Sequence, residues 1–412
     1  MHVILVSNNC SLLGGGESAL SYRWFEGLRG RGVRVSLVTH VRNRDHLTQG
    51  FCAEPTIHYI NDERYARRIW RAGHEIISAS DKPQLSWATT GAILTLAFEL
   101  QARAYIRKNL LGPETIIHRV APIAPRWPYL FRGLGVRTLA GPLSALPELP
   151  TGFAGYAKKQ GLRAYGRLRY VGRFVNAVLP PPHRILCANE YTLSCLPRRW
   201  RSRCSIMPEN GITVDGFKPC FDANDPAVIM MVSRLSAEKF CELGIRAFKI
   251  VRDRCAARLV VIGDGPERNR LEQLVSQMKL IADVDFLGHL SHAEVLACLP
   301  SADVYFHPSV RDASPTSVLE AMASGKPTVC ADVGGHAEWI KPDCGVAVPS
   351  ESPNLLVSGF AQAMVELIRS PQRRIDMGHA AVAKVKARFV WPAKIDAMLS
   401  IYASLLESAG GC

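Results

Sequence analysis

Two Rossmann-like α/β domains facing each other across a cleft are the fold this sequence predicts, and three observations predict it. Short β-branched runs alternate with helix-patterned stretches along the whole chain, the mark of βαβ units and parallel sheets. That rhythm stops and restarts once, at a stretch of Pro, Gly, Asn and Asp. The 412 residues exceed one ordinary core, so the length suits two domains.

In the first domain, residues 1–215, strands are expected at 3–7, 33–39, 56–60, 115–120, 137–141 and 184–189. The second, residues 216–391, should place strands at 228–233, 258–263, 284–287, 304–307, 328–331 and 346–348, with helices at 239–255, 267–279 and 317–324. The linker is expected at 208–226. Ligands of such sheets bind outside the carboxyl ends of the strands, so the site should lie between the halves.

Composition narrows the class. Apolar residues make up 48% and charged residues 21%, which reads as soluble and globular. The opening apolar run ends at polar Ser7-Asn8-Asn9, and the stretch from Ala92 to Leu100 is short and ends beside Glu99; neither spans a bilayer. Twelve cysteines are scattered without a CxxC pair. They read as reduced thiols rather than a zinc site or a disulfide framework, and the expected location is cytoplasmic.

The richest stretch is Ser309-Val310-Arg311-Asp312-Ala313-Ser314-Pro315-Thr316-Ser317-Val318-Leu319-Glu320. A strand end, a loop and a helix start follow one another there, and unpaired amides at a helix start can bind a diphosphate oxygen. Glu320, about one turn into the helix, could accept hydrogen bonds from vicinal hydroxyls such as those of ribose. An isolated pair of such acids would as readily be solvated helix-end carboxylates. Likewise Arg234 and Lys239, in Ser233-Arg234-Leu235-Ser236-Ala237-Glu238-Lys239, would by themselves be surface cations. Gly263-Asp264-Gly265-Pro266 is by itself a tight turn, Gly14-Gly15-Gly16-Glu17 a flexible strand-to-helix loop, and His118 at a strand end a structural histidine.

Together these segments resemble glycosyltransferase family 4, whose donor-binding pattern is E-G-x-P-x-x-x-L-E-A-M-A-x-G-x-P-V-V, then G-G-x-x-E and G-x-L-V. Gly334-Gly335-His336-Ala337-Glu338 and Gly345-Val346-Ala347-Val348 match the later parts. Gly141-Pro142-Leu143 and Asn210-Gly211-Ile212 resemble further family segments. The likeness touches the whole chain but is dense only from about 227 to 348. Three residues depart from the pattern: Asp312 stands for Glu, Ala313 for Gly, and Phe240 for a common Gly.

The resemblance implies the GT-B arrangement, in which a final helix within 392–412 crosses back onto the first domain. It implies retaining transfer of a sugar from a nucleotide donor to a hydroxyl of a glycan or lipid-linked acceptor, with no metal or other cofactor. Arg234 and Lys239 would then neutralise the leaving diphosphate, and Glu320 would hold the ribose. Asp312 and His118 would position the sugar, and Ala313, Ser314, Pro315, Thr316 and Ser317 would line the donor. Gly263, Gly288 and His289 would border the base, and Gly15 and Gly16 would complete the phosphate side. A sugar-nucleotide epimerase or phosphorylase on the same fold remains an alternative.

Residues 1–210 hold 29 Lys and Arg against 13 Asp and Glu, whereas 211–412 hold 21 against 23. Basic and aromatic residues interleave at Arg64-Tyr65-Ala66-Arg67-Arg68-Ile69-Trp70-Arg71 and again through Lys158, Tyr165, Arg167, Arg169, Tyr170, Arg173 and Phe174. Such a face suits an anionic membrane surface, and a solvated Arg-rich surface equally. A non-catalytic membrane- or nucleic-acid-binding protein is therefore the alternative from another class. No helix-turn-helix, zinc finger or RNA-binding motif supports nucleic acid.

Overall fold

The computed structural model describes residues 1–12, 16–51, 54–61, 71, 83–159, 180–213 and 216–407. Seven strands form a first parallel sheet: β1 (His2–Ser7), β2 (Arg34–His40), β3 (Ile57–Ile60), β4 (Thr115–Arg119), β5 (Arg137–Leu143), β6 (Arg184–Cys187) and β7 (Cys204–Ile206). Their order is β3-β2-β1-β4-β5-β6-β7. The second sheet has β8 (Ala227–Val232), β9 (Ala257–Ile262), β10 (Val284–Gly288), β11 (Val304–His307), β12 (Thr328–Ala331) and β13 (Gly345–Val348), in the order β10-β9-β8-β11-β12-β13.

Chain order reverses between β1 and β4 in one sheet and between β8 and β11 in the other, and crevices open at such switch points. Strands buried on both faces explain the apolar runs: β1 and β4 are buried at every residue. The change of sheet falls between Ile206 and Ala227. β7 is not among the expected strands, because its three half-buried residues are too few to show a period.

Two further differences bear on the site. The helix expected from Lys239 is broken: a 3-10 turn, Ala237–Lys239, is followed by left-handed Phe240 (φ 56°), and the helix begins at Cys241. Within β5, Gly141 has φ 111°, and a Cβ there would lie 2.4 Å from the Leu186 carbonyl oxygen. Only glycine fits that combination, and the strand runs past its expected end at 141 to Leu143.

The domains are laced together in both directions. The Trp391–Glu407 helix returns to the first domain, where Ile395, Met398, Tyr402 and Leu405 join the core containing Trp24, Phe25 and Leu37. Its Lys394 is buried, donates to the Pro208 carbonyl, and lies over the Trp24 and Trp391 rings at 5.5 and 5.7 Å. In the other direction, Phe153 of the first domain belongs to the second domain's core. Phe240 meets the Phe153 ring edge-on and stacks on Tyr156, with centroids 6.0 and 5.6 Å apart.

The ten described cysteines are all unbridged, in line with thiols rather than a disulfide framework. Among the described residues no helix is long and apolar enough to cross a membrane.

Phe240 pits two effects against each other. Left-handed backbone costs a non-glycine residue about 1–2 kcal/mol, whereas emptying a buried phenylalanine site costs about 3–5 kcal/mol. The cavity outweighs the strain, so Phe240→Gly is expected to destabilise the protein by about 2–3 kcal/mol in denaturant unfolding. An unchanged or raised midpoint would refute the packing role.

Candidate active site

The loops that leave β8, β9 and β10 at their carboxyl ends are tied in series. Ser233 N donates to Ile262 O at 2.9 Å, Leu235 N to Asp264 O at 2.9 Å, and Gly263 N to Gly288 O at 2.7 Å. Gly263 has φ 130°, and a Cβ there would lie 2.0 Å from the Ser233 carbonyl oxygen. Glycine is thus what lets this edge close. Arg234 is exposed there and, among the described residues, pairs with no carboxylate. Gly288 is buried with φ 74°, and His289 beside it is exposed.

Lys239 ends the 3-10 turn, and its ammonium pairs with Asp312 Oδ2. Asp312 lies in the loop after β11, the strand next to β8, and His307 Nε2 stands 3.4 Å from the same oxygen. Burial pushes the Asp312 carboxyl up, but His307 and Lys239 outweigh it and hold it well below the usual carboxylate range. His336 packs edge-on against His307 with ring centroids 5.0 Å apart. Its own pKa is lowered to about 3, first by burial and then by His307.

Backbone contacts shape the rest of this loop. Gly335 N donates to Ala313 O at 2.8 Å, Asn210 Nδ2 donates to the buried Ser314's carbonyl, and Ser309 Oγ donates to Glu238 O at 3.3 Å. Gly334 (φ 64°) comes so close that a Cβ would lie 2.3 Å from Asp312 O. Pro315 stands at the N-cap of the Thr316–Ala323 helix and offers no side-chain cap. The first-turn amides, at Thr316 and Ser317, therefore keep their donor capacity and the positive end of the helix dipole.

Glu320 is buried, with Oε1 2.9 Å from His292 Nε2; that hydrogen bond raises the His292 pKa. Tyr305 on β11 donates to Val232 O at 3.3 Å and lies against Ser317 and Glu320. It thereby joins the end of β8 to the helix that carries Glu320. His307, Tyr305 and His292 were absent from the sequence reading. Two of them sit on β11 itself, and a strand-end His before Pro308-Ser309 was the signal available for His307; nothing in the sequence marks His292.

The first domain contributes less than expected. Gly15 and Gly14 lie outside the described residues, as do 64–70 and 160–174 of the basic stretches. Gly16 opens the Gly16–Gly30 helix, and a Cβ there would meet nothing within 4 Å, so sterics do not demand glycine. Across the seam, Glu338 accepts from the Glu190 amide at 3.0 and 3.3 Å.

His118 corrects the sequence reading. It is fully buried, with Nδ1 2.6 Å from the Tyr402 hydroxyl and Nε2 2.6 Å from the Gly141 carbonyl. Both ring nitrogens are committed, so His118 anchors the returning C-terminal helix and does not face the cleft. Tyr402, 284 residues away in sequence, claims the nitrogen that strand position alone left open.

Residues 218–381 match the Glycosyl transferases group 1 family. Over 142 residues the chain is 36% identical to an uncharacterized glycosyltransferase of Methanocaldococcus jannaschii, covering 34% of this chain and 36% of that one. Over 228 residues it is 27% identical to the GDP-mannose-dependent monoacylated alpha-(1-6)-phosphatidylinositol monomannoside mannosyltransferase of Corynebacterium glutamicum, covering 49% and 57%. The chain thus spans between about a third and somewhat over half of these relatives' length. Sucrose-phosphate synthase from Thermosynechococcus elongatus shares the fold over 99% of both chains, with a TM-score of 0.64 at 20% identity. Two Rossmann-like domains in the GT-B arrangement are therefore the architecture.

Burial lowers the His118 pKa from 6.5 to about 4, the Gly141 contact opposing only in part. The folded protein thus binds fewer protons than the unfolded chain between those values. The stability this neutral His supports is intact above pH 6.5 and is lost as pH falls toward 4. In His118→Gln the fall between pH 6.5 and 4, read from denaturant midpoints, should shrink by up to about 3 kcal/mol. An identical pH dependence in the two proteins would show that His118 is not buried in its neutral form.

Proposed function

We propose that the chain is a retaining, metal-independent glycosyltransferase that moves a hexosyl group from a nucleoside diphosphate sugar to a hydroxyl of a glycan or lipid-linked acceptor. The observation that carries this reading is the convergence at the switch point of the second sheet: Lys239 on Asp312, beside an uncapped helix start and a buried carboxylate one turn further on. Cations and free amides suit a diphosphate, whose charge grows as the glycosidic bond breaks. Glu320 keeps Oε2 for the ribose hydroxyls while His292 orients the other oxygen.

Arg234 and Lys239 neutralise the departing diphosphate without a divalent ion. Asp312, Ala313 and Ser314 border the transferred sugar, and Gly263, Gly288 and His289 border the base. The acceptor attacks from the face the diphosphate leaves, and a diphosphate oxygen takes its proton, so no protein nucleophile is required. The similarity to a GDP-mannose-dependent enzyme supports a GDP-linked hexose. The basic excess of the first half supports an anionic surface as the place where a lipid-linked acceptor is met.

Nucleoside diphosphate release from a panel of GDP- and UDP-sugars, with and without acceptor glycans and with EDTA, tests the reading. Turnover should depend on acceptor and persist in EDTA. Arg234→Ala and Glu320→Gln should each lower kcat/KM about 30- to 100-fold, with thermal midpoints kept within a few degrees. Acceptor-independent interconversion of the sugar, or a requirement for inorganic phosphate, would replace the assignment with an epimerase or a phosphorylase. Parallel loss of folding and activity would remove it.

A further inference from the structure

Asp312 Oδ2 has two suitors. Lys239 Nζ holds it, and His307 Nε2 waits 3.4 Å from the same atom. Among the described residues the buried His307 nitrogen has no well-formed hydrogen bond, and its long contact with Oδ2 already helps to hold that carboxylate ionised. An optimal N–H···O contact is some tenths of an ångström shorter, so a small approach of His307 would complete its bond to Oδ2. His336, itself fully buried and with both ring nitrogens unpartnered among the described residues, packs edge-on against the His307 ring.

We propose that His307 is a positioning residue: it takes over the Asp312 carboxylate as a diphosphate draws Lys239 away. The proposal rests on the nucleotide-sugar reading and adds to it how Lys239 is released. A diphosphate that engages Lys239 breaks an ion pair whose carboxylate is largely buried, and stranding such a charge is strongly unfavourable. With His307 at hand, Asp312 exchanges one donor for another, and Nε2–H supplies the bond that the ammonium gives up. The shorter Asp at this position fits the scheme, because its Oδ2 is already in contact with both Lys239 and His307.

Calorimetric titration of the full chain with GDP and with UDP reads the exchange directly. Wild type should bind one of them. His307→Asn, whose amide falls short of Asp312, should weaken that binding roughly tenfold, and His307→Gln, which reaches, should restore most of it. In an Asp312→Asn background no charge is stranded, so His307→Asn should change affinity less than about twofold. Wild-type affinity in His307→Asn overturns the proposal, and so does an equal loss in both backgrounds, the behaviour of a purely structural histidine. If wild type binds neither nucleotide, it is the nucleotide reading itself that fails.

Discussion

The ion pair between Lys239 and Asp312 joins loops that leave neighbouring strands, β8 and β11, at the point where strand order reverses. Parallel strands all end on one edge, so their loops share that edge; what they do not share automatically is a fixed spacing. Here the spacing is set by the pair, by the Tyr305 hydroxyl on the Val232 carbonyl, and by the glycine-enforced approach of the 263 turn to Ser233. Each contact is modest, and neutral hydrogen bonds contribute about 1 kcal/mol each. Their combined effect is geometric, because Arg234, Lys239 and the Thr316 helix start are held on a common edge before any ligand arrives.

The three departures from the family pattern belong to one arrangement rather than three. Phe240 accepts a left-handed backbone because its ring is clasped by Phe153 and Tyr156 of the other domain. That conformation ends the 3-10 turn at Lys239 and aims the ammonium at the next loop. Asp312 receives it with a shorter reach than glutamate would have, and His307 flanks the same oxygen. Ala313 uses its carbonyl to receive the Gly335 amide, a bond that asks for no side chain. A bulky residue in one loop and a shortened acid in another are thus linked through Lys239.

Much of this was legible in the sequence, and the unread parts have physical reasons. Twelve strands announced themselves through apolar runs because parallel strands are covered on both faces; β7 was too short to do so. The break at Phe240 was unreadable because a left-handed residue is normally marked by glycine, and here tertiary packing overrides the local preference. Arg234, Lys239, Asp312 and Glu320 stood out through their register with one another. His118 was misjudged because position at a strand's carboxyl end says nothing about which side chain packs upon it, and Tyr402 comes from the far end of the chain. His292 lay out of reach for the same reason, since only folding brings it to Glu320.

The seam between the domains sets two opposing terms against each other. Among the described residues Asn189 Nδ2 is buried there with no hydrogen-bond partner, while Glu209 is buried against Ser144 and Ser314, which oppose the rise that burial gives its pKa. An unpartnered buried atom costs about 1–3 kcal/mol. The aromatic clasp at Phe153, Tyr156 and Phe240 acts the other way, since burying a large apolar side chain contributes about 1.5–3 kcal/mol. The returning Trp391–Glu407 helix adds further apolar burial on the first domain through Ile395, Met398, Tyr402 and Leu405, so packing outweighs the polar cost at this seam.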